Sequence, residues 1–390
     1  MAQAVIGATG SPADDAFWGA RASGVAQVER ELARLRRAED VHAREQGLVV
    51  ARASVLNLVV YANREIHARR AARTVSELAK RHPSRAIVVL ADRERRPGKE
   101  AEITMHSHRP QDEQSRQVSY EQILIRARGD SDERLASAVI PLLLPDLPVF
   151  LWWTDTPPSD RRQFDDLLAL ANRLIVDSED FGRPEETLSR LSSICGRGVG
   201  HFGVTDFNWT RLTPWRELVA AFFDVPAWRP FLDGITGIRV GFAVDADGRA
   251  IHPSQALLLI GWLASRLGWR AAERLAPSEA GGLLFAMERG DGSEVQTRVR
   301  PRYERGLEEG HVSGLRIQCA QGGQSAEFVV KRTPDMRHVA TTTIIGGRAV
   351  AERTVPLATP SVVELLGEEL TIVASDRIYE DALRSLVALV

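Results

Sequence analysis

The sequence predicts an α/β protein: a mixed sheet with helices on both faces, followed by a smaller α+β domain with an antiparallel sheet. Three observations carry this. Pro148 to Trp153 is an almost unbroken apolar run, too short for a helix and rich in aromatic and branched side chains, as in a strand covered on both faces. Helical patterns alternate with such runs up to residue 225, the rhythm of βαβ units with right-handed crossovers. From about Gly282 to Arg353 the rhythm becomes alternating strands separated by Gly-rich turns, which is an antiparallel sheet. At 390 residues the chain is too long for one comfortable core. The expected division is a loose leader (1–23), an α/β domain (24–225), a linker (226–237) and an α+β domain (238–390).

Taken in order, Val25, Val28, Leu32 and Leu35 form one narrow stripe on a very polar helix that continues to about Gln46 and stops at Gly47. Ser54 to Tyr61 reads as a strand, and Asn63 is placed to cap a helix running to about Arg81, with Ile66, Ala71, Val75 and Leu78 buried. Ala86 to Leu90 is the next strand. Glu102 to His108 and Val118 to Arg126 alternate at period two and read as half-exposed antiparallel strands. Asp130 with Glu133 offers a capping box for a helix to Leu144, kinked at Pro141. The Pro148 strand follows, ending in Trp152 and Trp153, which must point to opposite faces.

Phe164, Leu167, Leu168 and Ala171 then share one helix face before a short strand from Arg173 to Asp177. Pro184 opens a helix ending near Cys195, and Thr213-Pro214 reads as a cap and first-turn pair for a helix to Phe223. Asp224 to Gly237 carries two prolines and two glycines and is the expected boundary. Beyond it lie a strand (Ile238 to Val244), a strongly apolar helix (Ser254 to Leu267) and the alternating strands. Thr359-Pro360 then caps a helix to Glu369, and Asp376 opens a last helix whose Tyr379, Leu383 and Leu386 face inward.

A net charge of −2 argues against a dedicated nucleic-acid binder, because no excess of cations is available to displace counterions. The longest apolar stretch, Ala256 to Ala264, is about half of a bilayer span, so no membrane partner is expected. Two distant cysteines, Cys195 and Cys319, and an N-terminus lacking signal-peptide features give a cytoplasmic expectation. Arginine outnumbers lysine throughout the chain without clustering, which is the pattern of a codon bias.

Motifs of chemistry are weak. VIGATG (Val5 to Gly10) imitates a dinucleotide-binding loop, but its third glycine is missing and Ser-Pro-Ala-Asp follows where a helix should begin. The glycines after Cys195 follow a helix rather than a strand and read as a helix stop. His106 and His108 share a strand face, with no third ligand at zinc-site spacing. Ser178 lacks the G-x-S-x-G elbow of a nucleophile. No catalytic residue, cofactor or metal is expected.

The informative feature is aromatic. Phe207, Trp209, Trp215, Phe222, Phe223 and Trp228 are interleaved with Arg211, Arg216 and Arg229. Trp and Arg are frequent interface anchors, each costing about 2 kcal/mol or more when truncated at a hot spot. Two readings stay open: the rings fill the seam between the two domains, or they form a surface for a partner.

ARTVSELAKRHPSRAIVVL (Ala72 to Leu90), LLPDLPVFLWW (Leu143 to Trp153), LANRLIVDS (Leu170 to Ser178) and DFNWTRLTPWRELVAAFFD (Asp206 to Asp224) resemble the glucose-6-phosphate dehydrogenase assembly protein family, OpcA. The resemblance covers most of the chain and includes the final DRIYEDALRSL helix (Asp376 to Leu386). It implies a non-enzymatic partner of glucose-6-phosphate dehydrogenase that favours the active oligomer and improves its response to substrate, at the entrance of the oxidative pentose phosphate pathway. Cyanobacterial members are linked to thioredoxin through cysteines. Neither cysteine here matches such a pair, so redox control is not carried over.

Chemistry and position, rather than the resemblance, select Trp209, Arg211, Trp215 and Arg216 as expected contact residues. His82, Ser84, Arg85, Trp153 and Asp155 form a second group near loops at the sheet's edge. The rival reading is a sugar-phosphate or nucleotide-dependent transferase working in the crevice at the carboxyl ends of the strands. A third is a scaffold that binds the dehydrogenase without changing its kinetics.

Overall fold

The computed structural model describes residues 15–22, 25–52, 54–79, 81–92, 98–108, 116–128, 135–158, 162–181, 183–197, 202–247, 252–279, 281–371 and 375–389. The VIGATG segment and the Asp130–Glu133 box lie outside them. In chain order the elements of the first half are β1 (Asp15–Ala22), α1 (Val25–Glu45), β2 (Val49–Ala51), β3 (Asn57–Ala62), α2 (Glu65–Leu78), β4 (Arg85–Asp92), β5 (Gly98–His108), β6 (Arg116–Arg128), α3 (Leu135–Val139), β7 (Val149–Trp153), α4 (Arg162–Leu168), β8 (Arg173–Val176), α5 (Pro184–Arg197) and β9 (Gly203–Asp206). Then come α6 (Phe207–Arg211), α7 (Thr213–Phe223), β10 (Ile235–Val244), α8 (Ser254–Leu267), β11 (Arg270–Ala271), β12 (Ala276–Pro277), β13 (Leu283–Glu288), β14 (Glu294–Tyr303), β15 (Val312–Gln321), β16 (Gln324–Arg332), β17 (His338–Ile345), β18 (Arg348–Pro356), α9 (Val362–Glu369) and α10 (Arg377–Val387).

The chain forms two compact units. One comprises residues 1–176, 200–204 and 362–375, the other 177–199, 205–361 and 376–390. This division departs from the expected one at 226–237, Asp15–Ala22 of the expected leader forms the strand β1, and the second unit, with half of the chain, is not the smaller. The cause is aromatic. Phe222 and Phe223 of α7, with Trp228 and Phe231 after it, gather around Phe328 of β16 at 4.8–6.1 Å between ring centres, so α7 and the segment after it belong with the later sheet.

The first unit holds a mixed sheet in the order β1-β5-β6-β4-β3-β7-β8-β9, with β2 beside β6. The strands β6, β4, β3, β7 and β8 are parallel, while β5 runs antiparallel between β6 and β1. Every residue of β3, β7 and β8 is buried, as the apolar run predicts for a strand covered on both faces. On α2, Ala71, Val75 and Leu78 are buried as expected, but Ile66 is 64% exposed. Asn63 is not the cap either. Arg64 occupies that position without a side-chain cap bond, and the Asn63 amide instead bonds Asp155. The helix expected up to Leu144 shortens to α3 and a 3₁₀ turn at Ile140–Leu142 that carries Pro141.

The second unit is a sheet in the order β11-β13-β14-β10-β15-β16-β17-β18, with β12 beside β13. It is antiparallel apart from one parallel pair, β10 with β14. In α8 ten of the fourteen positions are buried, and α10 packs against both α8 and α5. The crossing of α8 and α10 requires Gly261, where a Cβ would lie 2.6 Å from the Ala382 carbonyl. Tyr379, Leu383 and Leu386 of α10 face inward as the sequence predicts, and Asp376 caps that helix by accepting from the Ile378 and Tyr379 amides.

Candidate functional site

A dense polar site lies in the second unit and grows from Asp206. Its side chain caps α6, because Oδ1 accepts from the backbone N–H of Asn208 at 3.0 Å and from that of Ser178 at 2.9 Å. The Tyr379 hydroxyl donates to Oδ2 at 3.2 Å. Three chain segments far apart in sequence therefore meet on one fully buried carboxylate. Burial, reinforced by the charge of Asp177, pushes the Asp206 carboxyl up to about 6, against the hydrogen bonds from Ser178 and Asn208. Burial, and then Asp206 itself, hold the Tyr379 hydroxyl well above its ordinary value, so it stays a donor.

Around this hub, Arg211 makes a two-pronged pair with Asp177 at 2.7 and 2.9 Å and reaches Glu179 at 3.0 Å. Burial opposes its charge, but Asp177 and then Glu179 outweigh that and raise the guanidinium further. Asn208 donates to the Ser178 hydroxyl at 3.1 Å and accepts from Gln255 at 2.9 Å, while Gln255 accepts from the Val312 amide at 3.0 Å. Ser178 is thus a buried bridging hydroxyl. The Trp209 indole donates to Asp376 at 2.7 Å, and Arg216 lies 3.5 Å over the Trp209 ring while donating to its carbonyl at 2.7 Å. Burial lowers Arg216 to about 10, opposed by Asp376. Trp215 is buried beneath Arg332, 5.7 Å from its ring centre. Thr213 is the first residue of α7 rather than its cap, and its hydroxyl accepts from Arg216.

The first group of expected contact residues is therefore brought together, but turned inward. Trp209, Arg211 and Trp215 are buried, with Arg216 half-buried, and their named partners lie within the second unit. Trp209, Arg211 and Trp215 are corrected from surface anchors to interior pins, and their partners explain why: Asp177 and Asp376 take up the polar edges of Arg211 and Trp209 that a hot spot would offer to another molecule, and Arg332 lies over the Trp215 ring.

The second group is not one cluster. His82, Ser84 and Arg85 precede or begin β4, whereas Trp153 and Asp155 end or follow β7, and β4 and β7 both run parallel to β3. They stand at opposite ends of the sheet. Ser84 and Arg85 are buried. Arg85 pairs with Glu121 at 2.7 Å and Glu29 at 2.9 Å and donates to the Leu142 carbonyl, while Arg36 holds the other Glu121 oxygen at 2.6 Å. Burial would raise the Glu121 carboxyl, yet Arg36 and Arg85 together pull it below its ordinary value. Trp153 stacks on Tyr61 at 3.7 Å and meets Phe164 edge-on at 4.8 Å. Asp155 keeps partial exposure and ties the β7 end to Asn63.

Sequence reasoning missed Asp206, Asp177 and Asp376 as partners of the tryptophans and arginines. The Asp-x-Asn pattern of an N-cap was a usable signal for the first. Among the described residues, Glu179, Glu308 and His311 gather ligand atoms within 4.8 Å, but His311 Nε2 is already engaged with Glu179 at 3.0 Å. His106 stacks on Tyr120 at 5.0 Å. Both cysteines are buried, and burial pushes each thiol up to about 12.

Fold and site define a class: a two-unit α/β protein whose first unit is a parallel-centred sheet and whose second is knitted together on an interior carboxylate. Comparison with known proteins narrows it. Residues 75–193 match the family profile described as the glucose-6-phosphate dehydrogenase subunit N-terminal domain, and residues 202–383 match the corresponding C-terminal domain. The putative OxPP cycle protein OpcA of Nostoc punctiforme is 34% identical over 198 residues, which cover 51% of this chain and 41% of that one. Its namesake in Synechococcus elongatus is 28% identical over 314 residues, 78% of this chain and 67% of the relative. The chain belongs to the OpcA family of glucose-6-phosphate dehydrogenase assembly proteins, and its match spans about two fifths of the Nostoc relative's length. Among solved structures, a 3-ketoreductase from Actinomadura kijaniata in complex with NADP aligns at 11% identity and a TM-score of 0.47, over 86% of this chain and 95% of the other.

Proposed function

We propose that this chain is a non-catalytic assembly factor and allosteric activator of glucose-6-phosphate dehydrogenase. The observation that carries the reading is the pair of family profiles, which lie side by side over most of the chain. The chain binds the cytoplasmic dehydrogenase and favours its active oligomer. A ligand that prefers one conformation shifts the population toward it and, by linkage, raises that form's affinity for substrate. A tenfold gain in substrate affinity requires about 1.4 kcal/mol of differential binding. Of the nine expected contact residues, His82, Asp155 and Arg216 keep enough exposure to touch the dehydrogenase. The others serve by fixing the shape that is presented. Mixing the purified chain with the dehydrogenase on a sizing column with light scattering tests the binding step. Co-elution as a larger, defined species is expected, and separate elution at micromolar concentration refutes it.

A further inference from the structure

The carboxyl ends of β3, β4 and β6 open into a crevice of ≈ 1460 Å³ within the first unit. With β1, β2 and β5 set aside, the remaining strands of this sheet lie in the spatial order third, second, first, fourth, fifth, sixth. In sheets of this order, ligands bind outside the carboxyl ends near the point where the order reverses, here between β3 and β7, and the crevice lies on the β3 side of that point. The crevice is charged. Arg21, Arg64, Arg69, Arg126 and Arg128 line it together with Glu65, Asp92, Glu100 and Glu102. Arg69 and Arg126 share Glu65, and Arg128 meets Glu100. The side chains of Arg21 and Arg64 have no ion pair or hydrogen bond with any described residue. Two cations of the lining thus have no bonded partner among the described residues.

The turn between β3 and α2 is Asn63-Arg64, without glycine. A pyrophosphate held by close backbone approach needs glycines there, so this turn is not shaped for a dinucleotide. What it offers is different. Arg64 stands at the head of α2 in an extended conformation (φ −132°, ψ 139°), and its side chain does not cap the helix amides. A guanidinium beside such amides suits a single phosphate. One strand over, β4 ends in Asp92, the place where sheets of this order put the carboxylate that accepts ribose hydroxyls.

We propose that this crevice binds a sugar monophosphate, the phosphate held by Arg64 at the head of α2 and the vicinal hydroxyls by Asp92. A free hexose or pentose phosphate and a 5′-mononucleotide share that chemistry. The site requires no dehydrogenase, so it stands or falls separately from the proposed partner.

Calorimetric titration of the full chain alone, with glucose 6-phosphate, ribose 5-phosphate, AMP and inorganic phosphate, tests it. At least one sugar phosphate is expected to bind saturably, and about tenfold or more tighter than inorganic phosphate. The AMP arm distinguishes a nucleotide from a free sugar phosphate. Arg64 is exposed, so Arg64→Ala leaves the fold in place, as its melting temperature checks, and weakens binding about tenfold or more. Asp92→Asn weakens the sugar phosphate while leaving inorganic phosphate unchanged. Absence of saturable binding overturns the proposal, as does equal affinity for inorganic phosphate or indifference to both substitutions.

Discussion

Replacing Asp206 with asparagine isolates the cost of enclosing its charge. The carboxyl rises from an ordinary 3.8 to about 6, chiefly through burial and then through Asp177. A carboxyl raised on folding binds its proton more tightly in the folded chain than in the unfolded one. Stability therefore falls as pH rises between about 4 and 6, and is level above that because both states are then ionised. The interval spans roughly two pH units, and at about 1.4 kcal/mol per unit it amounts to about 3 kcal/mol. Asparagine keeps two of the bonds and reverses the third: its Oδ1 can accept from the Ser178 and Asn208 amides, and its Nδ2 can donate to the Tyr379 oxygen. Asp206→Asn should therefore gain on the wild type by about 3 kcal/mol as pH is raised from about 3 to 7. Urea unfolding of both proteins, followed by tryptophan fluorescence across this range, reads the difference and cancels the titrations they share. A stability difference independent of pH would refute the reasoning.

Three further outcomes follow from the packing. Trp209→Ala removes a buried ring and leaves Asp376 without its indole donor, costing about 3–5 kcal/mol in urea unfolding, whereas Trp209→Phe isolates the hydrogen bond at about 1.5–3 kcal/mol, since its acceptor is charged. Arg85→Ala leaves Glu121 with Arg36 alone in a buried setting and should cost about 3–5 kcal/mol, measured the same way. Cys195 and Cys319, buried and with thiols pushed up to about 12, should be inert to a disulfide reagent at pH 8 and react only at the rate of unfolding.

The sequence located what matters better than it oriented it. The Pro148 run was legible because a strand buried on both faces has no polar positions, and Gly47 was legible because it adopts a φ of +70° that other residues avoid. Ser254 to Leu267 was placed to the residue, because its apolar composition admits no other course. DFNWTR was singled out, but Trp and Arg look alike in a hot spot and in a satisfied interior. The difference lies in Asp376, 167 residues beyond Trp209, and in Asp177, 34 residues before Arg211. Arg85 and Trp153 were grouped for the same reason: strand order alone sets them at opposite ends, and it is fixed by long-range pairing. The observed division differs from the expected boundary because Pro and Gly in Asp224 to Gly237 mark a turn equally well inside a unit, where Phe328 gathers the rings on both sides.

The central claim is that this chain alters how another protein meets its substrate. A glucose 6-phosphate saturation curve of the purified dehydrogenase, with and without a stoichiometric excess of the chain, tests it most directly. The account predicts that half-saturation moves to lower substrate, with no turnover by the chain alone. Superimposable curves, or catalysis by the chain without the dehydrogenase, would contradict it.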